Sequence, residues 1–280
     1  MKLLVLGVNS WIGTRLVMAL SDSKYKLIGT SRRNSNPHNL QRLKIYQCNL
    51  PKDYSNLIQH SDADVVINLL RGEKESDFII HESIVGACKL KNIFYCYASS
   101  ALALDGYDYT DRLTEDLEAK ASSEYGVFKA RCEAQILNEK SLRSLILRFS
   151  SIQGWPRHKV ARNELFCRKI INGEEVFVDR GIIQNRLYDQ DFVNMIIMLL
   201  IDNKEGVYHL GATDSSEEFF FLKEICKKFN LDDGLVLQGN KKLVNANLIV
   251  DKFLREYPAF SFSENDTLQK VVANAPSWLR

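Results

Sequence analysis

The most reactive pattern in the sequence is a tyrosine followed four residues later by a lysine, Tyr125 and Lys129. In a helix this spacing puts both side chains on one face. An ammonium group beside a phenol favours the phenolate and lowers a pKa that is normally about 10. Such a tyrosine can donate a proton to a carbonyl oxygen near neutral pH, and a serine hydroxyl can fix that oxygen. Together with Ser100, the pair is suited to hydride transfer to a ketone.

The predicted elements around this pair are a strand that ends in two serines and a helix that contains the tyrosine and the lysine. The run Ile93 to Ala98 predicts a strand that ends in Ser99-Ser100, and Ser122 to Leu137 predicts a helix. With eleven tyrosines in the chain, about one Tyr-x-x-x-Lys match is expected by chance, so the spacing alone is not specific. Tyr125 is the only tyrosine that has it, and it lies on the helix after the predicted fifth strand.

The N-terminal stretch predicts the element that would position a cofactor. Lys2 to Leu6 predicts a strand, Gly7 to Gly13 a tight turn, Thr14 to Leu20 a helix and Leu27 to Thr30 a second strand. The N–H groups at the start of such a helix suit a pyrophosphate. Gly7 and Gly13 have the spacing G-x-x-x-x-x-G, but Ser10 stands where such a turn has its middle glycine, so the signal is imperfect. The predicted cofactor contacts in this turn are Gly7, Asn9, Ser10, Trp11, Ile12 and Gly13.

Two arginines follow the second predicted strand, Arg32 and Arg33. Folds that bind NAD place an acidic residue at this point, for the 2′-hydroxyl of the ribose, whereas an arginine suits the 2′-phosphate of NADP. The sequence therefore predicts NADP(H) as the cofactor. The alternative is that both arginines are solvated loop residues.

Other cofactor contacts are predicted from topology, because ligands of parallel sheets lie outside the carboxyl ends of the strands. For Arg71 three positions stay open: against the sugar, against the diphosphate, or on the surface. The remaining predicted contacts follow the third, fourth and fifth strands, and with Arg71 they are Asn49, Leu50, Leu69, Leu70 and Ser99.

Strand and helix patterns alternate through the first half of the chain, which predicts an α/β fold with a Rossmann-like, doubly wound parallel sheet. The fourth strand is predicted over Asp64 to Leu70. A cofactor-binding domain is predicted for residues 1–153 and a smaller α/β substrate-binding region for 154–280, with parts near 182–211 packing back on the first domain. In the second region, Glu175 to Val178 predicts a short strand and Asn247 to Glu256 a helix.

Composition excludes several classes of function. The formal net charge is +2, so no broad basic field for nucleic acid is implied. The six cysteines form no C-x-x-C pair and the five histidines no H-x-x-x-H pair, which predicts reduced thiols and no metal site. The longest uninterrupted apolar run, Met195 to Ile201, is too short to span a membrane. We therefore expect a cytoplasmic protein that binds neither membranes nor nucleic acid, with a homodimer left open.

Nearly the whole chain resembles the extended short-chain dehydrogenases. Within that family, Ser99 to Gly106 is most similar to reductases of nucleotide-linked 4-keto-6-deoxyhexoses, of the dTDP-4-dehydrorhamnose reductase type. This resemblance implies Tyr125 as proton donor, with Lys129 and Ser100 as its catalytic partners; read as in the epimerases, the serine position would fall on Ala101. The segments that carry the resemblance are Gly7 to Gly13, Asp64 to Leu70, Tyr97 to Gly106, Tyr125 to Lys129, Leu147-Arg148-Phe149, Arg186 to Phe192 and Asn247 to Val272.

The resemblance also implies substrate contacts, and here the sequence departs from that reductase. Ala101-Leu102 replaces a polar Asp-Tyr pair and Ser151 stands at a tryptophan position, both where the family touches sugar. The sugar is therefore expected to differ, and a 4,6-dehydratase is disfavoured because the acidic pair it needs is missing. Arg186 matches an arginine that contacts the diphosphate, and Asn163 matches an asparagine near it or caps its helix. Further candidates in a basic loop are Trp155, Arg157 and Lys159.

The resemblance thus implies an NADPH-dependent reductase of a nucleotide-activated 4-keto-6-deoxyhexose, working in deoxysugar or surface polysaccharide (lipopolysaccharide) biosynthesis. A 4-epimerase that retains NAD needs the same triad, but Arg32 and Arg33 speak against NAD. A non-catalytic sensor that binds NADP is the third interpretation, and the intact Tyr125–Lys129 pair speaks against it.

Overall fold

The computed structural model of the chain describes residues 1–21, 23–32, 43–156 and 160–279. Arg33, Arg157 and Lys159 lie outside them. Within these ranges the strands are β1 (Lys2–Leu6), β2 (Lys26–Ser31), β3 (Leu43–Gln47), β4 (Val65–Asn68), β5 (Phe94–Ala98), β6 (Ser144–Phe149), β7 (Ser151–Gln153), β8 (Val176–Gln184), β9 (Arg186–Tyr188), β10 (Gly206–Leu210), β11 (Ser216–Glu217) and β12 (Val236–Ala246). The α-helices are α1 (Trp11–Leu20), α2 (Pro51–His60), α3 (Glu75–Leu90), α4 (Glu124–Asn138), α5 (Arg162–Ile171), α6 (Asp189–Ile201), α7 (Glu218–Lys228), α8 (Asp251–Glu256) and α9 (Glu264–Ala273).

A seven-stranded sheet has the order β10-β6-β5-β4-β1-β2-β3. The pairs β1–β2, β2–β3, β1–β4, β4–β5 and β5–β6 are parallel. This order reverses direction between β1 and β4, which is where ligands bind in doubly wound sheets, at the carboxyl ends of the strands. The predicted Rossmann-like α/β fold is therefore confirmed.

Central strands of this sheet are buried on both faces. Successive side chains of β1 point to opposite faces, yet Leu3, Leu4, Val5 and Leu6 are all at most 1% exposed. One face packs on a core cluster with side chains from α2, α3 and α4. Double-sided burial explains why the strand sequences are continuously apolar rather than alternating.

The chain divides into two compact units that interleave along the sequence. The first contains residues 1–106, 118–148 and 193–208, and the second contains 107–117, 149–192 and 209–280. The predicted boundary at 153 lies shortly after the point where the chain leaves the first unit. The segment 182–211, predicted to pack back on the first domain, includes residues 193–208 of that unit.

The second unit has two small sheets of its own, β11-β8-β12 and β7-β9. Its core contains apolar side chains of α5, α7, α9, β8 and β12. All six cysteines of the chain are buried and unpaired with one another. No helix within the described ranges is long and apolar enough to cross a membrane, and no group of three metal-ligating side chains is found there.

Two sequence predictions about the second unit have wrong boundaries, and one strand was not predicted. The strand predicted over Glu175 to Val178 is a nine-residue strand, β8, which continues through Gly181 at φ +82°. It is extended by pairing with β12, which the sequence did not predict, because the exposed polar middle of β12 carries no strand alternation. The predicted helix at Asn247 begins only at Asp251, since the N–H groups of Leu248 and Ile249 bond elsewhere in the unit.

Candidate active site

The turn after β1 has the geometry of a nucleotide-binding loop. Gly7 has φ +86°, a conformation that favours glycine. Ser10, which replaces the middle glycine of the usual pattern, is the N-cap of α1, and its hydroxyl accepts from the N–H of Gly13 at 3.0 Å. The helix begins at Trp11, three residues earlier than predicted, so Trp11, Ile12 and Gly13 form its first turn.

Gly13 leaves no room for a side chain. A Cβ there would lie 2.3 Å from the carbonyl oxygen of Gly7 and 2.9 Å from the Cα of Val8, both backbone atoms. The close approach of α1 to the turn therefore depends on this glycine, as a pyrophosphate cradle at a helix N-terminus requires. The residues present fit a dinucleotide.

Replacing Gly13 by Ala is expected to weaken dinucleotide binding by about tenfold or more, because the backbone of the cradle must shift. Fluorescence titration with NADPH and NADH measures the dissociation constants. Gly86→Ala is the matched control: a Cβ at this exposed position in α3 meets nothing within 4 Å, and it should leave binding unchanged. Equal affinities in the two variants would contradict the assignment of the cradle.

The end of β2 lies beside the same turn. The N–H of Gly7 donates to the hydroxyl of Thr30 at 3.2 Å, and Asn9 Nδ2 donates to Ser31 Oγ at 2.7 Å. Arg32 follows and is exposed, as a side chain that binds a ligand phosphate must be. Its carbonyl accepts from Gln47 Nε2. The cofactor roles of Asn9 and Arg32 stay predictions, as does that of Arg33.

Residues after β3 and β4 also lie at the carboxyl edge. The N–H groups of Asn49 and Leu50 donate to Asp53 Oδ2 at 3.0 and 2.8 Å, which caps α2. Strand β4 ends at Asn68 rather than at Leu70, because the Asn68 carboxamide accepts from the Leu70 N–H at 3.0 Å.

The segment Leu69-Leu70-Arg71 connects the glycine turn with Tyr125. A Cβ on Gly7 would contact Leu70 at 3.2 Å and the Leu69 carbonyl at 3.6 Å. Arg71 places its guanidinium 5.5 Å from the centre of the Tyr125 ring and pairs with Glu73. Of the three positions left open for Arg71, the structure shows an exposed side chain that faces the tyrosine.

Tyr125 and Lys129 lie in the first two turns of α4, which Ser123 caps by accepting from the Gly126 N–H at 3.1 Å. The ammonium of Lys129 lies 5.7 Å from the centre of the Tyr125 ring. It donates to the carbonyl of Ala98, the last residue of β5, at 2.8 Å. The pair therefore faces the carboxyl end of β5, where a cofactor and substrate are expected.

The predicted lowering of the Tyr125 pKa by Lys129 is wrong for this structure. Burial raises the pKa of Tyr125 above its usual value, and the nearby guanidinium of Arg71 only partly opposes this. Burial also lowers the pKa of Lys129 to about 8. Desolvation outweighs the favourable charge because the ammonium donates to acceptors on β5 rather than to the phenol.

The two serines after β5 have different surroundings. Ser99 is 1% exposed, and its hydroxyl donates to Glu133. Ser100 is 9% exposed and caps the short 3₁₀ helix Ala101–Leu104, accepting from the Leu102 N–H at 3.1 Å. Ala101 is buried and has no hydroxyl. These contacts favour Ser100 for the predicted catalytic serine, which stays a prediction.

The sequence analysis missed a buried charge pair beside these serines. Glu133, on α4, and Arg148, in β6, are at most 1% exposed and form a 2.7 Å ion pair. The carboxylate also accepts the Ser99 hydroxyl, so it links α4 to β5 and β6. The sequence does contain a signal for this pair, because Arg148 lies inside the apolar run of β6. A charge that is buried in this way requires a partner. Glu133 follows Lys129 by four residues and thus shares its helix face.

Three of the predicted substrate contacts fall in the second unit: Ser151, Asn163 and Arg186. Gln153 connects two of them: its amide donates to Ser151 Oγ at 2.8 Å, and its carbonyl oxygen accepts from Asn163 Nδ2 at 2.9 Å. Asn163 is not a helix cap, because the N-cap of α5 is Ala161. Trp155 packs edge-on against Phe229 and Trp278 within the unit rather than standing free to stack on a base.

Arg186 is completely buried and already bound within the unit. Its guanidinium pairs with Glu218 at 2.7 Å and with Glu264 at 2.6 Å, and it donates to Ser216. Burial raises the pKa of Glu264, against the opposing effect of Arg186. A contact of Arg186 with a diphosphate stays a prediction, and in this structure two carboxylates hold the side chain.

The sheet order, the glycine turn and the Tyr125–Lys129 helix define an extended short-chain dehydrogenase, a class of enzymes that use a nicotinamide dinucleotide. The chain belongs to the family described as the RmlD substrate binding domain, whose profile matches residues 1–247. The expected resemblance to the extended short-chain dehydrogenases is thereby confirmed. Among curated protein sequences no match to the chain is found.

Solved structures with the same fold cover almost the whole chain. The dTDP-glucose 4,6-dehydratase of Bacillus anthracis in complex with NAD has a TM-score of 0.83 at 17% identity, over 98% of this chain and 96% of the other. The UDP-glucose 4-epimerase of Thermotoga maritima with UDP-glucose has 0.78 at 17%, over 100% of both. The UDP-N-acetylglucosamine 4-epimerase of Bacillus cereus has 0.76 at 22%, over 98% of both. At these identities the likeness shows the fold.

Proposed function

We propose that the protein is an NADPH-dependent reductase that converts a nucleotide-activated 4-keto-6-deoxyhexose into the corresponding deoxysugar nucleotide. The observation that carries the proposal is the position of the Tyr125–Lys129 pair, which faces the carboxyl end of β5 next to Ser100. A tyrosine so placed stands where a carbonyl oxygen must be protonated. Family membership and the nucleotide-sugar enzymes that share its fold support the substrate class.

In this mechanism each side chain has one task. NADPH, when bound, would supply the hydride for the keto carbon. Tyr125 donates its phenolic proton to the developing alkoxide, and its raised pKa keeps the phenol protonated at neutral pH. Ser100 donates a hydrogen bond to the same oxygen, and the ammonium of Lys129 orients the nicotinamide ribose. The turn Gly7–Gly13 holds the pyrophosphate.

Substrate selection falls to residues outside the triad. Ala101, Ser151, Asn163 and Arg186 are the proposed contacts of the nucleotide sugar. Ala101 and Ser151 are smaller than the residues that the resemblance leads one to expect at these positions. We therefore propose a hexose other than the rhamnose precursor, in deoxysugar or surface polysaccharide biosynthesis.

A turnover assay with a panel of nucleotide-linked 4-ketosugars (dTDP, UDP, GDP and CDP) tests this function. Oxidation of NADPH, followed by its absorbance and fluorescence, with one product reduced at C4, is the expected result. Isomerisation of a nucleotide hexose without net oxidation would instead establish a 4-epimerase that retains NAD. Dinucleotide binding with no turnover on any substrate would leave the sensor as the function.

The proposed preference for NADPH can be tested by replacing the two arginines that follow β2 in the sequence. Replacing Arg32 and Arg33 together by Ala is expected to weaken NADPH binding by about 10- to 100-fold, because charge-assisted hydrogen bonds to the 2′-phosphate are lost. NADH binding should change little. Arg143→Ala removes one arginine charge at the amino end of β6, where Arg143 pairs with Glu205, and serves as control. Equal losses for both dinucleotides would count against NADP.

A further inference from the structure

The ammonium of Lys129 is held by hydrogen-bond acceptors of the central sheet. It is 2% exposed, and within the described residues two acceptors contact it, both from β5. The carbonyl of Ala98 accepts at 2.8 Å, and the phenolic oxygen of Tyr97 accepts at 3.1 Å. The ring of Tyr97 also lies under the ammonium, 4.6 Å from Nζ. The ammonium has three N–H groups and these two acceptors use two of them. One N–H therefore stays available for a ligand or for Tyr125.

Tyr97 is itself held on both sides. Its hydroxyl lies beside the thiol of Cys132, which is on α4 three residues after Lys129. Burial raises the pKa of this thiol, and the contact with the Tyr97 hydroxyl partly opposes that rise. Its ring packs edge-on against His81 of α3, with ring centres 4.9 Å apart. Because Tyr97 is 2% exposed and its ring packs against His81, its oxygen has a defined position against the lysine.

We propose that Tyr97 is a positioning residue, which acts through Lys129 by holding its ammonium at the carboxyl end of β5 within reach of Tyr125. This inference deepens the proposed function, since it concerns the lysine of the same site. Its physical basis is that a buried ammonium needs acceptors with fixed geometry, and only one of the two is backbone.

Other titratable and charged groups around Lys129 also influence its pKa, which a titration would measure. From its own helix, Cys132 and Glu133 favour the ammonium; from the segment after β4, Arg71 opposes it. His81 of α3 is buried, and its pKa is lowered to about 3, first by burial and then by Lys129, so it is neutral near pH 7. Removing the hydroxyl of Tyr97 keeps Arg71, Glu133 and His81 in place, and of these groups only Cys132 loses a partner.

The experiment measures the Lys129 pKa directly, without cofactor or substrate. The full-length protein carries carbon-13 at the lysine ε-carbon, and the Lys129 signal is assigned with Lys129→Met. Tyr97→Phe is expected to lower the Lys129 pKa by about one unit, because a hydrogen bond to a charged group is lost. Tyr95→Phe is the matched control on the same strand: its hydroxyl contacts Asn68 and His81, not Lys129.

The expected effects on the Lys129 pKa differ between Tyr97→Phe and Tyr95→Phe. The comparison therefore separates a positioning role of Tyr97 from the general effect of losing a buried hydroxyl. Tyr95→Phe should leave the Lys129 pKa unchanged although it also removes a buried hydroxyl. An unchanged pKa in Tyr97→Phe, or the same shift in both variants, would overturn the proposal. NADPH affinity as a function of pH is the second readout: in Tyr97→Phe its alkaline decline should move to lower pH. The titration decides the role of Tyr97 even if the chain proves not to be a reductase.

Discussion

Tyr125→Phe is expected to lower the rate of ketosugar reduction by about 10²- to 10⁴-fold, the usual contribution of a positioned general acid. The ring and its packing are kept, so the dissociation constant for NADPH should stay within about twofold of that of the wild type. Loss in kcat with binding preserved is the signature of a group that acts in the transition state. Steady-state kinetics and fluorescence titration measure the two quantities.

A control separates this effect from the loss of any buried hydroxyl. Tyr54→Phe removes a phenolic oxygen that donates to the Cys48 carbonyl at 3.1 Å, in the same unit but on α2. Its turnover per folded molecule should equal that of the wild type. Near-normal turnover in Tyr125→Phe would refute the role of proton donor, and another group would then have to protonate the alkoxide.

The pH dependence follows from the direction of the pKa shifts. The phenol of Tyr125 donates only below its pKa, which burial raises, so its protonation does not limit reduction near neutral pH. The ammonium of Lys129, with its pKa lowered to about 8, deprotonates first as the pH rises. We therefore expect the rate of reduction to decline on the alkaline side, with Lys129 as the group that titrates.

Glu133→Ala is expected to lower the free energy of unfolding by about 3–5 kcal/mol, because it leaves the buried guanidinium of Arg148 without its carboxylate. Ser99 loses its acceptor in the same variant. Urea denaturation measures the change. Glu133→Gln, which keeps the shape and removes the charge, gives a second measurement if the alanine variant does not fold.

Glu75→Ala is the matched control for this pair. Glu75, at the start of α3, binds Arg131 of α4, and both side chains are about half exposed or more. Exposed ion pairs contribute little to stability, since water and salt screen them. A loss in Glu133→Ala no larger than that in Glu75→Ala would show that the buried pair does not hold α4 against the sheet.

The sequence by itself determined the sheet of the first unit. Its central strands are buried on both faces, so apolar runs such as Val65–Asn68 are continuous and easily recognised, although their exact ends are not. It also determined the candidate chemistry, because Tyr125 and Lys129 are close in sequence and helical spacing alone puts them on one face.

Tertiary structure alone decided the contacts between distant segments. Strand β12 could not be predicted, because its exposed middle is polar and only pairing with β8 makes it a strand. Local spacing likewise predicted a lysine that acidifies Tyr125, whereas acceptors on β5 draw the ammonium of Lys129 toward the sheet and burial raises the pKa of Tyr125. Hydrogen bonds and desolvation depend on the groups that pack around a side chain. The spacing of residues in the sequence does not specify that packing.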